Sequence, residues 1–280
     1  MWSTFFNISD TAGTEFHHPA NRSRPRRGEL TQDASKPNGQ TISCGSMNQY
    51  EKLRSLGQQL RDEQPGDFRI LDVGAGDGST EYSPFFAGLA TDYVGVDPDE
   101  DIHDNTWLHQ RFHQSAETFA AEHAASVAAG DAQPFDMATA IYVWEHLEAP
   151  AELLKAAHSV LRPGGTMICI TPNGLHPFGL GSKVLAKFDL TDRVLRKLRP
   201  DEIDHYHFPV VATRNTIWGV RSCAEEAGFS EVDVMLHDEP NVFVPYLPEK
   251  LHALPHAYSK VIAATKLDVL SGTLIITLTK

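Results

Sequence analysis

Asp72-Val-Gly-Ala-Gly-Asp-Gly78 follows the apolar run that begins at Phe68, so a short buried strand ends in a glycine-rich turn. Glycine removes Cβ atoms there, which lets the backbone turn sharply and lets a ligand approach closely. A dinucleotide-binding turn would read G-x-G-x-x-G. Here the third glycine position is Ser79, and Asp77 sets a negative charge where a pyrophosphate would lie. Nicotinamide dinucleotides are therefore disfavoured. The next apolar run, Asp92-Tyr-Val-Gly-Val-Asp97, closes on a carboxylate that can accept hydrogen bonds from both hydroxyls of a ribose. This suits a nucleoside without phosphates.

The same strand pattern recurs at 135–143 and 165–171, separated by stretches of helical length such as 149–161. Further on, 213–227 reads as a helix stopped by Gly228, followed by strands at 231–236 and 272–279 that pair as a hairpin-like edge. The alternation predicts an α/β fold with a doubly wound, mainly parallel sheet. Tyr50, Leu53, Leu56 and Leu60 recur at helical spacing and predict an amphipathic helix leading into it. Between the strand at 165–171 and the late helix lies an insertion, 172–209, with its own amphipathic stretch through Val184, Leu185, Phe188, Leu195 and Leu198. It is a candidate lid. Residues 1–47 lack an apolar period and carry Arg22, Arg24, Arg26 and Arg27, which predicts a disordered tail. Asp10, Glu15 and Glu29 argue against an organelle-targeting arm, and the folded domain is expected over 48–280.

A formal net charge of −13 argues against an extended nucleic-acid surface, which needs clustered lysine and arginine, and favours a small-molecule partner. Cys44, Cys169 and Cys223 are too widely spaced for a disulfide framework or a paired metal motif, which fits a reducing cytoplasm. No apolar run approaches the roughly 20 residues that span a bilayer, so stable membrane insertion is not expected.

Leu71-Asp-Val-Gly-Ala-Gly-Asp-Gly78 resembles motif I of class I S-adenosylmethionine-dependent methyltransferases, and Val94-Gly-Val-Asp97 resembles their acidic second strand. The resemblance continues through Trp144-Glu-His-Leu147, Leu161-Arg-Pro-Gly-Gly165, Thr171-Pro-Asn173 and Glu226-Ala-Gly-Phe229, covering roughly residues 66–280. It implies a Rossmann-like seven-stranded sheet with an antiparallel last strand, S-adenosylmethionine as cofactor, and a small-molecule acceptor. By the same resemblance, Asp72, Gly74, Ala75, Gly76 and Gly78 face the methionine half of the cofactor, Asp97 holds the ribose, and Pro98 flanks the adenine. The family pattern Gly-Asp-Ala-Glu is replaced by Gln114-Ser-Ala-Glu117, so Ser115, Ala116 and Glu117 are weaker candidates for adenine contacts.

Methyl transfer is an in-line displacement that needs a base only if the nucleophile carries a proton. His146, just past the fourth strand, is the first candidate, although Glu145-His146 reads rather more readily as a cap on the following segment or as a turn that orients the cofactor. His205 and His207, in Asp204-His-Tyr-His207 where the insertion returns, are the others. They read equally as a solvated loop, and spacing offers no fourth ligand, so no metal is expected. The leading expectation is methylation of a hydroxyl oxygen. Methylation of nitrogen or carbon, or a cofactor-binding regulatory protein without catalysis, are the alternatives.

Overall fold

The computed structural model describes residues 47–181, 211 and 213–280. The expected tail, most of the expected lid, and His205 and His207 lie outside the described residues. Seven strands form one sheet in the order β3-β2-β1-β4-β5-β7-β6: β1 (Arg69–Val73), β2 (Asp92–Asp97), β3 (Gln110–His113), β4 (Phe135–Ile141), β5 (Leu161–Pro172), β6 (Glu231–His237) and β7 (Thr273–Thr279). β1 to β5 pair in parallel, and β7 runs antiparallel to both β5 and β6. The Rossmann-like, mainly parallel sheet with an antiparallel last strand is thus present.

Apolar side chains alternate between the two sheet faces. Leu71, Val94, Met167, Cys169 and Ile276 point to one face, beneath α3 (Ala116–Ala129), α4 (Pro150–Val160) and α5 (Ile217–Ala227). Ile70, Tyr93, Ile168, Ile170 and Ile275 point to the other, with Tyr50 and Leu53 of α1 (Gln49–Glu63) and Phe86 of α2 (Ser83–Leu89). Burial on both faces explains why these strands read as nearly continuous apolar runs. Local signals fix several ends. Asn48 and Glu51 form a reciprocal capping box that starts α1, and a left-handed glycine ends both α3, at Gly130, and α5, at Gly228.

Three expectations about the elements change. β5 begins at Leu161, because Leu161 pairs with Phe135 across a register shift before the regular ladder starts at Thr166. The late helix begins at Ile217, not at 213, because the Thr216 hydroxyl caps it by accepting from the Gly219 amide. The last two strands are antiparallel neighbours but no tight hairpin: a 3₁₀ turn (Pro240–Tyr246) and α6 (Ala253–Thr265) come between them. No helix among the described residues is long and apolar enough to cross a membrane.

The sheet order reverses between β1 and β4, and ligands of such sheets lie outside the carboxyl ends of the strands at that point. Gly74, Asp97, Tyr142 and Thr171 all stand on this edge.

Candidate functional site at the carboxyl edge of the sheet

Gly74, Gly76 and Gly78 have φ of +72°, +52° and +77°, in the left-handed region that side chains disfavour. Space is closed as well: a Cβ on Gly74 would come within 2.3 Å of Val143 Cγ2, and one on Gly78 within 2.4 Å of Asn105 Oδ1. Four amides in and next to the loop are already committed. The Gly74 and Ala75 N–H groups donate to Val96 O at 2.8 and 3.4 Å, the Gly76 N–H to Asp97 Oδ2 at 2.9 Å, and the Ser79 N–H to Asp77 Oδ1 at 2.9 Å. A phosphate cradle needs free amides, so these four are not open to a pyrophosphate.

Asp97, at the end of β2, is 6% exposed. Its Oδ2 accepts from Gly76 and its Oδ1 from the Asp99 N–H at 2.8 Å. Each oxygen keeps a further acceptor site, the acceptor pair that the two hydroxyls of a vicinal diol can donate to. Burial raises its pKa above the ordinary carboxylate value, and the two backbone N–H groups oppose that shift.

Asp72 has a different environment. Its Oδ2 accepts from the Tyr93 hydroxyl at 2.6 Å and its Oδ1 from the Thr139 hydroxyl at 2.8 Å, in a fully buried position. Burial pushes its pKa up to about 6 against those two hydrogen bonds. The carboxylate is therefore a brace joining β1, β2 and β4 beneath the glycine loop. A threonine inside the apolar run of β4 was the visible signal for this brace, because a buried hydroxyl needs a partner.

Asn105 adds a clamp that no local motif announces. Fully buried, it donates through Nδ2 to Ala75 O at 3.1 Å and Gly76 O at 3.2 Å, and its Oδ1 accepts from the Trp107 N–H at 3.2 Å. After β3, Ser115 caps α3 by accepting from the Thr118 N–H at 3.2 Å, Ala116 packs against the core, and Glu117 is exposed in the first turn. The Pro98 carbonyl lies 3.0 Å from His113 Nε2.

At the end of β4, Tyr142 adopts φ +58°, a strained value for a bulky residue, and its hydroxyl donates to Gln49 Oε1 of α1 at 2.7 Å. This bend puts Val143 under Gly74 and starts the 3₁₀ turn Trp144–His146. His146 is half-buried on that turn, with its N–H bonded to Val143 O at 3.0 Å. Beside it, Glu145 is 1% exposed, and its Oε2 accepts from the Thr171 hydroxyl at 3.0 Å. The turn also holds the segment that returns from the insertion. The Val211 N–H donates to Glu145 O at 2.8 Å and Trp144 Nε1 donates to Thr213 O at 3.3 Å.

The edge thus combines a glycine loop in left-handed backbone with a two-oxygen acceptor beside it at Asp97. A family model described as a methyltransferase domain matches residues 47–233, and the chain belongs to that family. The family uses S-adenosylmethionine, and the acceptor pair at Asp97 fits the ribose hydroxyls of that molecule. The ubiquinone biosynthesis O-methyltransferase of Aromatoleum aromaticum is 30% identical over 152 residues, 49% of this chain and 61% of that protein. The protein of the same name from Psychrobacter arcticus is 29% identical over 205 residues, 72% of each. This chain thus spans less than two thirds of the length of the Aromatoleum relative. A solved S-adenosylmethionine-dependent methyltransferase from Archaeoglobus fulgidus is 18% identical, with 81% of this chain and 94% of that one covered at a TM-score of 0.45.

Proposed function

We propose that this protein transfers the methyl group of S-adenosylmethionine to a hydroxyl oxygen of a small molecule. The observation that carries the cofactor half of this reading is Asp97. Its carboxylate is fixed by two backbone amides and keeps one acceptor site on each oxygen for the ribose diol. The loop from Gly74 to Gly78, with Ala75 between its glycines, borders the methionine half, and Pro98 with residues 115–117 borders the adenine. Asp72 acts from below, holding the loop's base strands in register. The O-methyltransferase names of the curated relatives support an oxygen acceptor.

When bound, the cofactor supplies a methyl group activated by a positively charged sulfur. The chain's own contribution is alignment and proton removal. His146 stands on a 3₁₀ turn that directly follows β4, with its backbone N–H bonded to Val143 O, so its Cα is anchored close to the end of the sheet. In this reading it takes the proton of the acceptor hydroxyl as the carbon–oxygen bond forms. His205 and His207 are the further candidates supplied by the sequence.

The test is incubation with S-adenosylmethionine and a panel of phenolic, sugar, amine and carbon-acid acceptors, read by the mass gain of one methyl and by assignment of the methylated atom. Transfer to a hydroxyl is expected. Transfer confined to nitrogen or carbon overturns the oxygen assignment, and cofactor binding with no transfer to any class overturns the enzymatic reading.

A further inference from the structure

Two buried oxygens behind the His146 turn have no hydrogen-bond partner among the described residues: Glu145 Oε1 and Asn215 Oδ1. Both residues are 1% exposed, and both are bonded to the same Thr171 hydroxyl, which accepts from Asn215 Nδ2 at 2.9 Å and donates to Glu145 Oε2 at 3.0 Å. Two buried acceptors left without a donor cost free energy, and such an arrangement persists only if something supplies the missing hydrogen. Rotating the Asn215 amide does not supply it. Nδ2 also faces Pro172 O at 3.4 Å, so the flipped group would set one carbonyl oxygen against another. Because both residues meet at the Thr171 hydroxyl, a single proton on Glu145 would serve both orphans.

We infer that Glu145 is a neutral acid whose Oε1–H donates to Asn215 Oδ1. This closes a ring of Glu145, Thr171 and Asn215 that latches the His146 turn to the segment returning from the insertion. In that ring every group both donates and accepts: the Asn215 amide N–H to Thr171, the Thr171 hydroxyl to Glu145, and the Glu145 hydroxyl back to Asn215. Such cyclic chains strengthen one another in a low-dielectric interior. The latch lies alongside two backbone ties across the same junction, Val211 N–H to Glu145 O and Gly174 N–H to Asn215 O at 2.6 Å. It makes Glu145 a positioning residue for its neighbour His146.

The surroundings favour the neutral form. Complete burial pushes the Glu145 pKa up to about 8, with its own backbone N–H and then the Thr171 hydroxyl opposing it. Among the described residues around it, the end of β4 offers Tyr142, which burial holds protonated, and the turn itself offers His146. The returning segment offers Arg214, committed to Glu226 at 2.6 Å, and the end of β5 offers Thr171, Pro172 and Asn173, none of which titrates.

The inference does not depend on which acceptor is methylated, and its test reads no activity. Glutamine at 145 offers the same acceptor to Thr171 and a permanent donor to Asn215. A carboxyl whose pKa is higher folded than unfolded contributes stability that is fully present below the unfolded value and is lost as pH rises through the folded one. Melting temperatures of the wild type and Glu145→Gln, compared from about pH 5 to about pH 9, should diverge in favour of the variant by several degrees and level off above about pH 8. Infrared difference spectra at neutral pH should show a protonated-carboxyl carbonyl stretch in the wild type that the variant lacks. A gap that does not change with pH, a missing carboxyl band, or a Glu145→Gln chain that does not fold would each overturn the ring.

Discussion

The ends of β1 and β2 and the ends of β4 and β5 stand on the same edge of one sheet, yet they are held together by different means. Around Gly74 to Gly78 and Asp97, the ties are mostly backbone amides over a few tens of residues. Around Glu145, the ties are side chains from β5 and from the segment after the insertion, and two buried oxygens wait for a hydrogen. One half has its polar groups settled by main-chain geometry, and the other by the protonation of one residue. In the proposed function the first half borders the cofactor and the second carries the residues proposed to meet the acceptor.

The comparison is sharpened most strongly at Asp72, whose side chain ties β1 to β2 and β4 from beneath the loop. Its folded pKa of about 6 lies above the ordinary carboxylate value, so its contribution is intact below about pH 4 and is lost as pH rises through about 6. Denaturant unfolding should show wild-type stability falling by about 3 kcal/mol across that window relative to Asp72→Asn. A wild-type curve parallel to that of the variant would mean that Asp72 is not protonated when buried.

On the β4–β5 side, His146→Gln should lower turnover about a hundredfold at saturating cofactor while leaving cofactor affinity intact. Equal rates would break the assignment of the base to this turn. A smaller effect is expected from Asn105→Ala, which removes both donors to the carbonyls of Ala75 and Gly76. Cofactor affinity should fall about tenfold with little change in the rate at saturation, because a loosened loop changes binding and not proton transfer. A loss confined to the saturated rate would place Asn105 on the wrong side of the comparison.

The same division explains what could be read from the sequence. The sheet, its parallel core and the role of Asp97 as a strand-end carboxylate follow from apolar runs and glycine spacing, which encode backbone conformation locally. Thr139 gave a partial signal as a hydroxyl in an apolar strand. Asn105, Asn215 and the Thr171 bridge gave none, because their significance arises only when segments dozens of residues apart meet. The start of α5 at Ile217 was missed for a related reason: Thr213 and Arg214 look helical locally, but Trp144 holds the Thr213 carbonyl outside the helix, and Arg214 turns left-handed at φ +57°. The 240–270 segment lacks a continuous apolar period, and its helices are stabilised by packing and not by pattern.

The most direct test of the cofactor site is calorimetric titration of S-adenosylmethionine and of its demethylated product into the wild type and Asp97→Ala. Charged hydrogen bonds to a ribose diol contribute about 1.5–3 kcal/mol, so both ligands should bind the wild type and lose at least about tenfold in affinity in the variant, with the fold intact. Unchanged affinity in a folded Asp97→Ala protein would contradict the account.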